Sequence, residues 1–156
     1  MVIGEGPGAT EDAVGKPFVG KAGSLLDLML KAINLSRDKN CYIANTVKCR
    51  PPNNREPLPE EIEACSAFLD RQIKLLKPRL ILCAGKTAAF RILKSSSPLS
   101  RIRSSFGEYK GIPVLPTYHP SALLQNENYK RPAWEDLKLL KAKLISLSDD
   151  YEASFI

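Results

Sequence analysis

The sequence contains very little histidine and tryptophan, with one residue of each among its 156. Any step that needs an imidazole must therefore use His119, the single histidine. No apolar run approaches the ~20 residues that a membrane-spanning helix requires. The first residues also lack the basic and then apolar pattern of a secretory signal. These features argue against a membrane protein and lead us to expect a cytoplasmic one.

Cysteine is scarce as well, and its four residues do not suggest disulfides. In a chain expected to be cytoplasmic, free, metal-binding or catalytic thiols are the commoner cases. Cys41 and Cys83 lie in apolar segments, which favours a place in the core. Cys49 and Cys65 flank a proline-rich loop, but two thiolates supply only half of a tetrahedral or iron–sulfur site. Spacing alone therefore does not establish a metal site.

The sequence contains enough apolar residues to form a folded core. Hydrophobic residues make up 44% of the chain and charged residues 26%, which is typical of a globular protein. The length fits one domain, which we expect over residues 1–147, followed by a C-terminal tail over 148–156. The net charge of +6 favours a polyanionic partner. Charge alone is equally compatible with a basic protein that binds no nucleic acid.

Short apolar runs alternate with longer amphipathic stretches along the chain. The runs predict four strands, at Met1–Ile3, Cys41–Ala44, Leu80–Ala84 and within Gly111–Thr117. The stretches predict four helices, at Leu25–Ile33, Pro59–Lys77, Gly85–Leu93 and Pro132–Leu147. Strands that alternate with helices indicate an α/β fold. We therefore expect a three-layer α/β/α architecture with a central four-stranded parallel sheet.

Local signals add detail to this outline. Ser24 is expected to cap the first helix, after a loop over residues 8–23. The serine-rich, basic segment 95–105 has no periodicity and is expected to be an exposed loop. In the last helix, the spacing predicts an inward-facing stripe of Trp134, Leu137, Leu140 and Leu144.

The first predicted strand ends in a glycine-rich turn, Gly4-Glu5-Gly6-Pro7-Gly8. Glycine accepts positive φ, and without a Cβ it lets a ligand approach the backbone closely. Open α/β sheets bind ligands in the crevice beyond the carboxyl ends of their strands. A carboxylate in such a turn, Glu5, is therefore a candidate catalytic group.

Two further polar residues follow strands of the same predicted sheet: Asn45 ends the second strand, and His119 follows the fourth. Parallel topology brings both to one edge with Glu5. A carboxylate can activate water or stabilise a cationic transition state. An amide can pair with the edge of a base, and an imidazole can hydrogen-bond a developing oxyanion. Taken singly, Asn45 is also typical of a turn and His119 of an ordinary loop.

Aromatic and basic residues surround this predicted edge. Phe18 is either a stacking platform for a flat ligand or a core anchor for its loop. The basic residues cluster in loops and suit phosphate contacts around a pocket, although any one of them can be an ordinary solvated side chain. These residues are Lys16, Lys21, Lys48, Arg50, Arg55, Arg101 and Arg103.

Three segments together resemble the successive motifs of family 4 uracil-DNA glycosylases. They are the glycine turn with Glu11-Asp12 and Pro17-Phe18-Val19-Gly20; Asn45-Thr46-Val47-Lys48-Cys49-Arg50-Pro51-Pro52 with Asn54-Arg55; and His119-Pro120-Ser121-Ala122-Leu123-Leu124. They occur in the family's order and span nearly the whole chain. The resemblance implies the uracil-DNA glycosylase-like version of the fold. It also implies hydrolysis of the N-glycosidic bond of uracil in DNA, after the base has been flipped out of the stack.

By this resemblance each motif residue acquires a role. Glu5 would position or activate the water and stabilise the oxocarbenium-like sugar, and His119 would hydrogen-bond uracil O2. Asn45 would bind the O4 and N3 edge of uracil, Phe18 would stack on the ring, and Glu11 would block the 5-methyl group of thymine. The remaining implied contacts are Gly4 and Gly6 to uracil, Ser24, Lys48, Arg50 and Ser121 to the DNA, and Leu123 or Leu124 as a wedge in the duplex.

The family also carries a [4Fe-4S] cluster held by four cysteines. Cys49 and Cys65 match two of these ligands. Cys41 and Cys83 do not match the other two, which the family places upstream of the glycine turn. We therefore expect the cluster to be absent or incomplete in this chain. Either an upstream segment is missing, which the short first strand favours, or this relative has lost the cluster.

Two other functions stay open from the residues alone. The spacing Gly4-x-Gly6-x-x-Ala9 loosely resembles a dinucleotide-binding fingerprint, which would indicate an oxidoreductase. Pro7 interrupts that fingerprint, and Asn45 stands where an acid is expected. A non-catalytic relative that binds DNA without turnover would carry the same motifs. We expect an active enzyme that works on uracil-containing DNA as a monomer.

Overall fold

Short strands and helices alternate along the chain in the computed structural model, which describes residues 1–148. The strands are β1 Val2–Gly4, β2 Ile43–Asn45, β3 Ile81–Ala84, β4 Gly107–Tyr109 and β5 Ile112–Thr117. The helices are α1 Ala9–Val14, α2 Lys21–Lys31, α3 Pro59–Leu76, α4 Lys86–Leu93, α5 Leu99–Ile102, α6 Pro120–Gln125 and α7 Lys130–Leu147. Two short 3₁₀ helices lie at Pro52–Asn54 and Glu127–Tyr129.

All of these strands belong to one sheet, in the order β2-β1-β3-β5-β4. β1, β2, β3 and β5 pair in parallel, and the register aligns Gly4 with Asn45 and Ala84 with Thr117. The carboxyl ends of these four strands therefore lie side by side. The predicted α/β fold with a parallel sheet is confirmed.

The sheet has one strand more than the sequence predicts. β4 pairs antiparallel with β5 at the edge of the sheet, through a turn at Lys110 and Gly111 with φ values of 48° and 81°. β4 is three residues long and only partly buried. It therefore carries no apolar run that a pattern search would find.

Two layers of apolar side chains cover the opposite faces of the sheet. Along β3, Leu82 and Ala84 join the core with α2, α6 and α7, whereas Ile81 and Cys83 join the core with α3 and α4. Successive strand residues point to opposite faces, so this alternation shows that both faces are covered. Cys41 and Cys83 are buried, as predicted.

The predicted cap at Ser24 and the predicted loop before it are both wrong. α2 begins at Lys21 with Gly20 at its N-cap, so Ser24 lies inside the first turn, where its hydroxyl donates to the Gly20 carbonyl. The segment before it contains α1, which has no buried residue and hence no periodic apolar signal. The predicted loop 95–105 likewise contains the single turn of α5.

The predicted burial of Trp134 is also wrong, because its side chain is 42% exposed. The buried stripe of α7 is Ala133, Asp136, Leu137 and Leu140. Asp136 occupies a buried position of this stripe. Because a charged residue is not counted as apolar, the spacing of the apolar residues alone places Trp134 on the buried face. Leu144 packs against the core as a partly buried residue.

Two further expectations concern the ends and surroundings of the chain. Within residues 1–148, no helix is both long and apolar enough to cross a membrane. The predicted tail from Ser148 lies, apart from Ser148 itself, outside the described residues.

One buried network joins α7 to the end of β5. The Asp136 carboxylate is fully buried and accepts hydrogen bonds from Arg103 Nε at 3.1 Å and Nη2 at 3.0 Å. It also accepts from Ser104 Oγ at 3.1 Å and from Thr117 Oγ1 at 2.8 Å. Thr117 is the last residue of β5, so the network fixes the start of the loop that carries His119. Arg103, which the sequence suggests for phosphate, is committed to this network.

Replacing Asp136→Ala should strongly destabilise the protein. The change leaves the largely buried Arg103 guanidinium without its carboxylate, which typically costs ~3–5 kcal/mol. The free energy of unfolding in urea measures this. Glu135→Ala is the matched control, because Glu135 is exposed and forms a surface ion pair with Lys138 on the same helix. This change should cost less than about 0.5 kcal/mol. Equal effects for both variants would contradict the role of the network.

Candidate active site

The glycine turn after β1 allows three parts of the chain to meet. A Cβ at Gly4 would lie 2.5 Å from the Phe18 ring and 2.6 Å from Asn45 Oδ1. A Cβ at Gly6 would lie 2.6 Å from the Val47 side chain. No real Cβ tolerates such distances, so glycine at position 4 is what lets Phe18 and Asn45 approach the turn, and glycine at position 6 is what lets Val47 do so.

Glu5 is held in this turn by both its backbone and its side chain. Its carbonyl accepts a hydrogen bond from the Val47 N–H at 3.0 Å. Its carboxylate oxygen Oε2 accepts from Thr87 Oγ1 at 2.7 Å. No other hydrogen bond to the carboxylate occurs within residues 1–148. One carboxylate oxygen is therefore fixed, and the other is available to a ligand.

His119 is the N-cap residue of α6, and its ring is neutral. Nδ1 accepts from the Ser121 backbone N–H at 3.1 Å and lies 2.7 Å from Ser121 Oγ. Because a backbone N–H can only donate, Nδ1 carries no proton, and the proton of the neutral ring is on Nε2. Burial lowers the pKa of His119 to about 4, and the nearby Glu11 charge opposes this only partly. His119 is therefore a neutral Nε2–H donor at physiological pH.

The Phe18 ring stacks on the His119 ring, with centroids 5.3 Å apart and planes inclined by 28°. Phe18 is buried, and its φ of 52° is unusual for an aromatic residue. Arg37 Nη2 donates to the Phe18 carbonyl at 2.6 Å, which supports this conformation. Phe18 thus anchors its loop in the core and also lines a cleft.

Asn45 ends β2 directly beside Gly4 and is 5% exposed. Its side-chain Oδ1 is buried and has no hydrogen-bond partner within residues 1–148. A buried acceptor without a partner costs free energy, which a ligand that donates to it recovers. This orphan oxygen marks Asn45 as a binding group.

A cleft of about 230 Å³ brings several of these groups together. Glu5, Phe18 and His119 line it, with Gly6, Pro7, Gly8, Glu11, Ala22, Pro51, Asn54, Arg55 and Ser121. A neighbouring cleft of about 390 Å³ is lined by Asn45 and Lys48 and shares Pro7 and Glu11 with the first. The predicted convergence of the strand ends therefore occurs, with Asn45 on the adjoining wall.

Glu11 ties the glycine turn to the Phe18 loop. Its carboxylate accepts hydrogen bonds from the backbone N–H groups of Gly8, Val19 and Gly20 at 3.0–3.1 Å. Partial burial acts to raise the pKa of Glu11, but these backbone donors together outweigh it and lower the pKa. Glu11 therefore remains a carboxylate on the wall shared by the two clefts. Its implied role against the thymine methyl group stays a prediction.

The residues expected to contact DNA differ in their exposure to solvent. Ser24 and Arg50 are exposed, and Arg50 Nε donates to Asn54 Oδ1 at 2.7 Å. Lys48 instead turns inward: its Nζ donates to the Asn45 carbonyl at 2.7 Å and to Gln72 Oε1 at 2.6 Å. Burial lowers the pKa of Lys48. The expected phosphate contact of Lys48 is replaced here by support of the Asn45 backbone.

The two candidate wedge leucines differ in exposure. Leu123 is 2% exposed and belongs to the core, whereas Leu124 is 50% exposed. The inward face of α6 packs Leu123 against α2 and the sheet, so of the two expected wedge residues Leu124 is the accessible one, and the wedge role itself stays a prediction. Ser121, on the same helix, is committed to the His119 ring through its hydroxyl and backbone N–H.

The cysteines expected to bind metal do not form a complete site. Cys49 is exposed, and Cys65 Sγ accepts from the Lys48 N–H at 3.4 Å. No group of three or more metal-binding side chains occurs among residues 1–148. The four-thiolate set implied by the family resemblance is therefore not assembled by the described part of the chain.

Sequence analysis missed Thr87, whose hydroxyl holds Glu5. The position of Thr87 is the signal that the sequence offers. Thr87 follows β3 by three residues, and the carboxyl end of β3 lies between those of β1 and β5. The sequence suggests Arg55 for phosphate, but in the structure Arg55 forms a two-pronged ion pair with Glu61 at 2.7 and 2.9 Å. This pair closes the proline-rich loop against the start of α3.

Comparison with known proteins identifies the family. Residues 1–138 match the family model described as the Uracil DNA glycosylase superfamily. The type-4 uracil-DNA glycosylase of Sulfurisphaera tokodaii is 44% identical over 155 residues, which cover 94% of this chain and 70% of that protein. The type-4 enzymes of Thermotoga maritima and Archaeoglobus fulgidus are 42% and 41% identical, covering 91% and 88% of this chain and 76% and 73% of theirs.

These matches confirm the family that the three sequence motifs indicate, and they set aside the dinucleotide-binding alternative. The chain belongs to the uracil-DNA glycosylase superfamily, among the relatives named type-4 uracil-DNA glycosylases.

Proposed function

We propose that this protein is a DNA-repair glycosylase that hydrolyses the N-glycosidic bond between uracil and deoxyribose. Its family membership over most of the chain supports this function. One structural observation carries it at the site: the Glu5 carboxylate and the neutral His119 ring line the same cleft. The substrate is uracil-containing DNA, on which the protein acts as a cytoplasmic monomer.

The target base must leave the helix stack before these groups can reach its glycosidic bond. Phe18 then lies along the flat uracil ring. The orphan Oδ1 of Asn45 accepts the uracil N3–H, and its amide nitrogen donates to O4. Cytosine presents an unprotonated N3 and a donor at position 4, so the same amide is mismatched against it. Recognition of uracil thereby satisfies the buried acceptor.

Bond cleavage separates charge between the base and the sugar. His119 acts on the base, and Glu5 acts on the sugar. The C1′–N1 electron pair leaves with the base as the sugar becomes cationic. His119 donates from Nε2 to uracil O2 and stabilises the departing anion. Because the ring is already neutral with its proton on Nε2, it needs no change of protonation to do so.

Glu5 completes the reaction at the sugar. Its free oxygen Oε1 holds water near C1′, while the carboxylate charge stabilises the oxocarbenium-like sugar. The water oxygen forms the new bond to C1′, and its proton passes to Glu5 and on to solvent. No step of this mechanism passes through an iron–sulfur cluster, for which Cys49 and Cys65 supply half of the ligands.

The surface around the cleft supplies the contacts to DNA. The net charge of +6 favours a polyanion. Arg50 and Ser24 contact phosphates, and the exposed Leu124 fills the space of the flipped base. Ser121 fixes the His119 tautomer and borders the DNA path. Glu11 excludes bases that carry a 5-methyl group.

Glu5→Gln should lower the single-turnover rate of uracil release at least ~100-fold, because an amide cannot accept the water proton or stabilise the cationic sugar. The measurement uses an end-labelled oligonucleotide with one uracil, in single- and double-stranded form. Glu63→Gln, on the exposed face of α3, is the matched control and should leave the rate unchanged.

Two outcomes of this assay would contradict the proposal in different ways. Tight binding of uracil-containing DNA by the unaltered, folded protein without base release would indicate a non-catalytic DNA-binding relative. Full activity of Glu5→Gln would show that another group activates the water.

Asn45→Asp should relax the discrimination between uracil and cytosine. A carboxylate in place of the amide removes the donor that opposes the cytosine amino group and supplies acceptors for it. Release of cytosine from an otherwise identical oligonucleotide should rise from undetectable to measurable, while uracil release falls. Asn128→Asp, at an exposed 3₁₀ helix, is the control. Unchanged discrimination in Asn45→Asp would rule out its role at the base edge.

The protonation state of His119 can be measured without ambiguity, because it is the single histidine. Nitrogen-15 NMR should show Nε2 protonated and Nδ1 bare above pH 5, with titration at about 4. The unfolded chain titrates near 6.5, so between these values it binds more protons than the folded protein. Stability should therefore fall as pH is lowered through this window, by up to ~1.4 kcal/mol per pH unit.

His119→Asn supplies the control for this dependence. The variant cannot titrate at this position, so it should lack this part of the fall in unfolding free energy between pH 6.5 and 4. A folded-state pKa near 6.5, or a proton on Nδ1, would contradict the assigned role of the ring.

A further inference from the structure

Three consecutive residues at the start of α4 each contact a different part of the site. Gly85 has a φ of 97°, and a Cβ there would lie 3.1 Å from His119 Cβ. Lys86 Nζ lies 2.7 Å from Glu56 Oε1 of the proline-rich loop. Thr87 Oγ1 donates to Glu5 Oε2. The carboxyl end of β3 therefore joins Glu5 and His119, which lie more than a hundred residues apart in sequence.

The Thr87–Glu5 hydrogen bond is short and well supported. Its 2.7 Å length is typical of a hydroxyl that donates to a charged carboxylate. Thr87 is 8% exposed, and the next residues of α4, Ala88 and Ala89, are fully buried in the core. A β-branched side chain has few rotamers. The hydroxyl is thus presented to Glu5 by a rigid part of the fold.

We propose that Thr87 is a positioning residue for Glu5. This inference rests on the proposed function, since it concerns how the carboxylate holds its water. A free carboxylate can rotate and present either oxygen. The Thr87 hydroxyl binds Oε2 and thereby leaves Oε1 facing the cleft, where the water is activated.

The side-chain chemistry at this position makes the proposal specific. Valine has nearly the shape of threonine but no hydroxyl, so it places a methyl group against the carboxylate. Serine keeps the hydroxyl and loses only the methyl group. If the hydroxyl acts on Glu5, serine should preserve activity and valine should not. If Thr87 is needed only for packing, valine should be the better substitute.

The test compares Thr87→Val and Thr87→Ser by single-turnover uracil release at a fixed pH. We expect Thr87→Val to lower the rate by ~10- to 100-fold, the usual effect of removing a hydrogen bond to a charged group. Affinity for a non-cleavable uracil-analogue duplex should change less than about twofold. Thr87→Ser should retain the rate within about threefold.

A double variant tests whether Thr87 affects the rate of uracil release through Glu5 or by a general effect on the protein. In the Glu5→Gln background, Thr87→Val should cause no further loss of rate, because the group that it positions is gone. An additional loss of the same size would overturn the proposal. So would a Thr87→Val protein that releases uracil at the normal rate. Thr87→Ala, which leaves space instead of a methyl group, repeats the comparison if Thr87→Val does not fold.

Failure of this inference is distinct from failure of the proposed function. If the unaltered protein releases uracil and Thr87→Val behaves identically, the positioning role is wrong and the glycosylase activity stands. If neither the unaltered protein nor Thr87→Ser releases uracil, the proposed function is wrong, and the role of Thr87 falls with it.

Discussion

The site depends on one close approach, in which the backbone at Gly4 touches both the Phe18 ring and the Asn45 amide. The parallel register places Asn45 beside Gly4, and the missing Cβ leaves room for the ring. Glu5 follows immediately and is fixed between the Val47 N–H and the Thr87 hydroxyl. A side chain at Gly4 would displace either the Asn45 amide or the Phe18 ring, so the groups that we propose for recognition and catalysis share this single constraint.

Much of the fold follows from hydrophobic pattern, because strands covered on both faces are wholly apolar and their helices are amphipathic. The sequence therefore predicts the parallel strands and the edge at which they end. It misses β4, α1, α5 and α6, which are three to six residues long and therefore too short to show a period. It misplaces the stripe of α7 because a buried charge, Asp136, occupies a core position.

The candidate site is predictable to the extent that topology decides it. Glu5, Asn45 and His119 converge because parallel strands end together. What a single sequence does not reveal is the direction of each side chain: Lys48 turns inward to Asn45, and Leu123 packs in the core. Thr87 escapes notice because a threonine at the start of a helix is ordinary until its partner is known. Family resemblance supplies the roles, whereas the orphan Asn45 acceptor and the His119 tautomer supply physical reasons for them.

Binding of uracil in this cleft is tested most directly by titrating nitrogen-15-labelled protein with free uracil. The single imidazole is the reporter. We expect the Nε2 resonance of His119 to shift and saturate with uracil while Nδ1 stays bare, because Ser121 keeps its hydrogen bond to the ring. A folded protein whose His119 resonances remain unchanged at saturating uracil would contradict it.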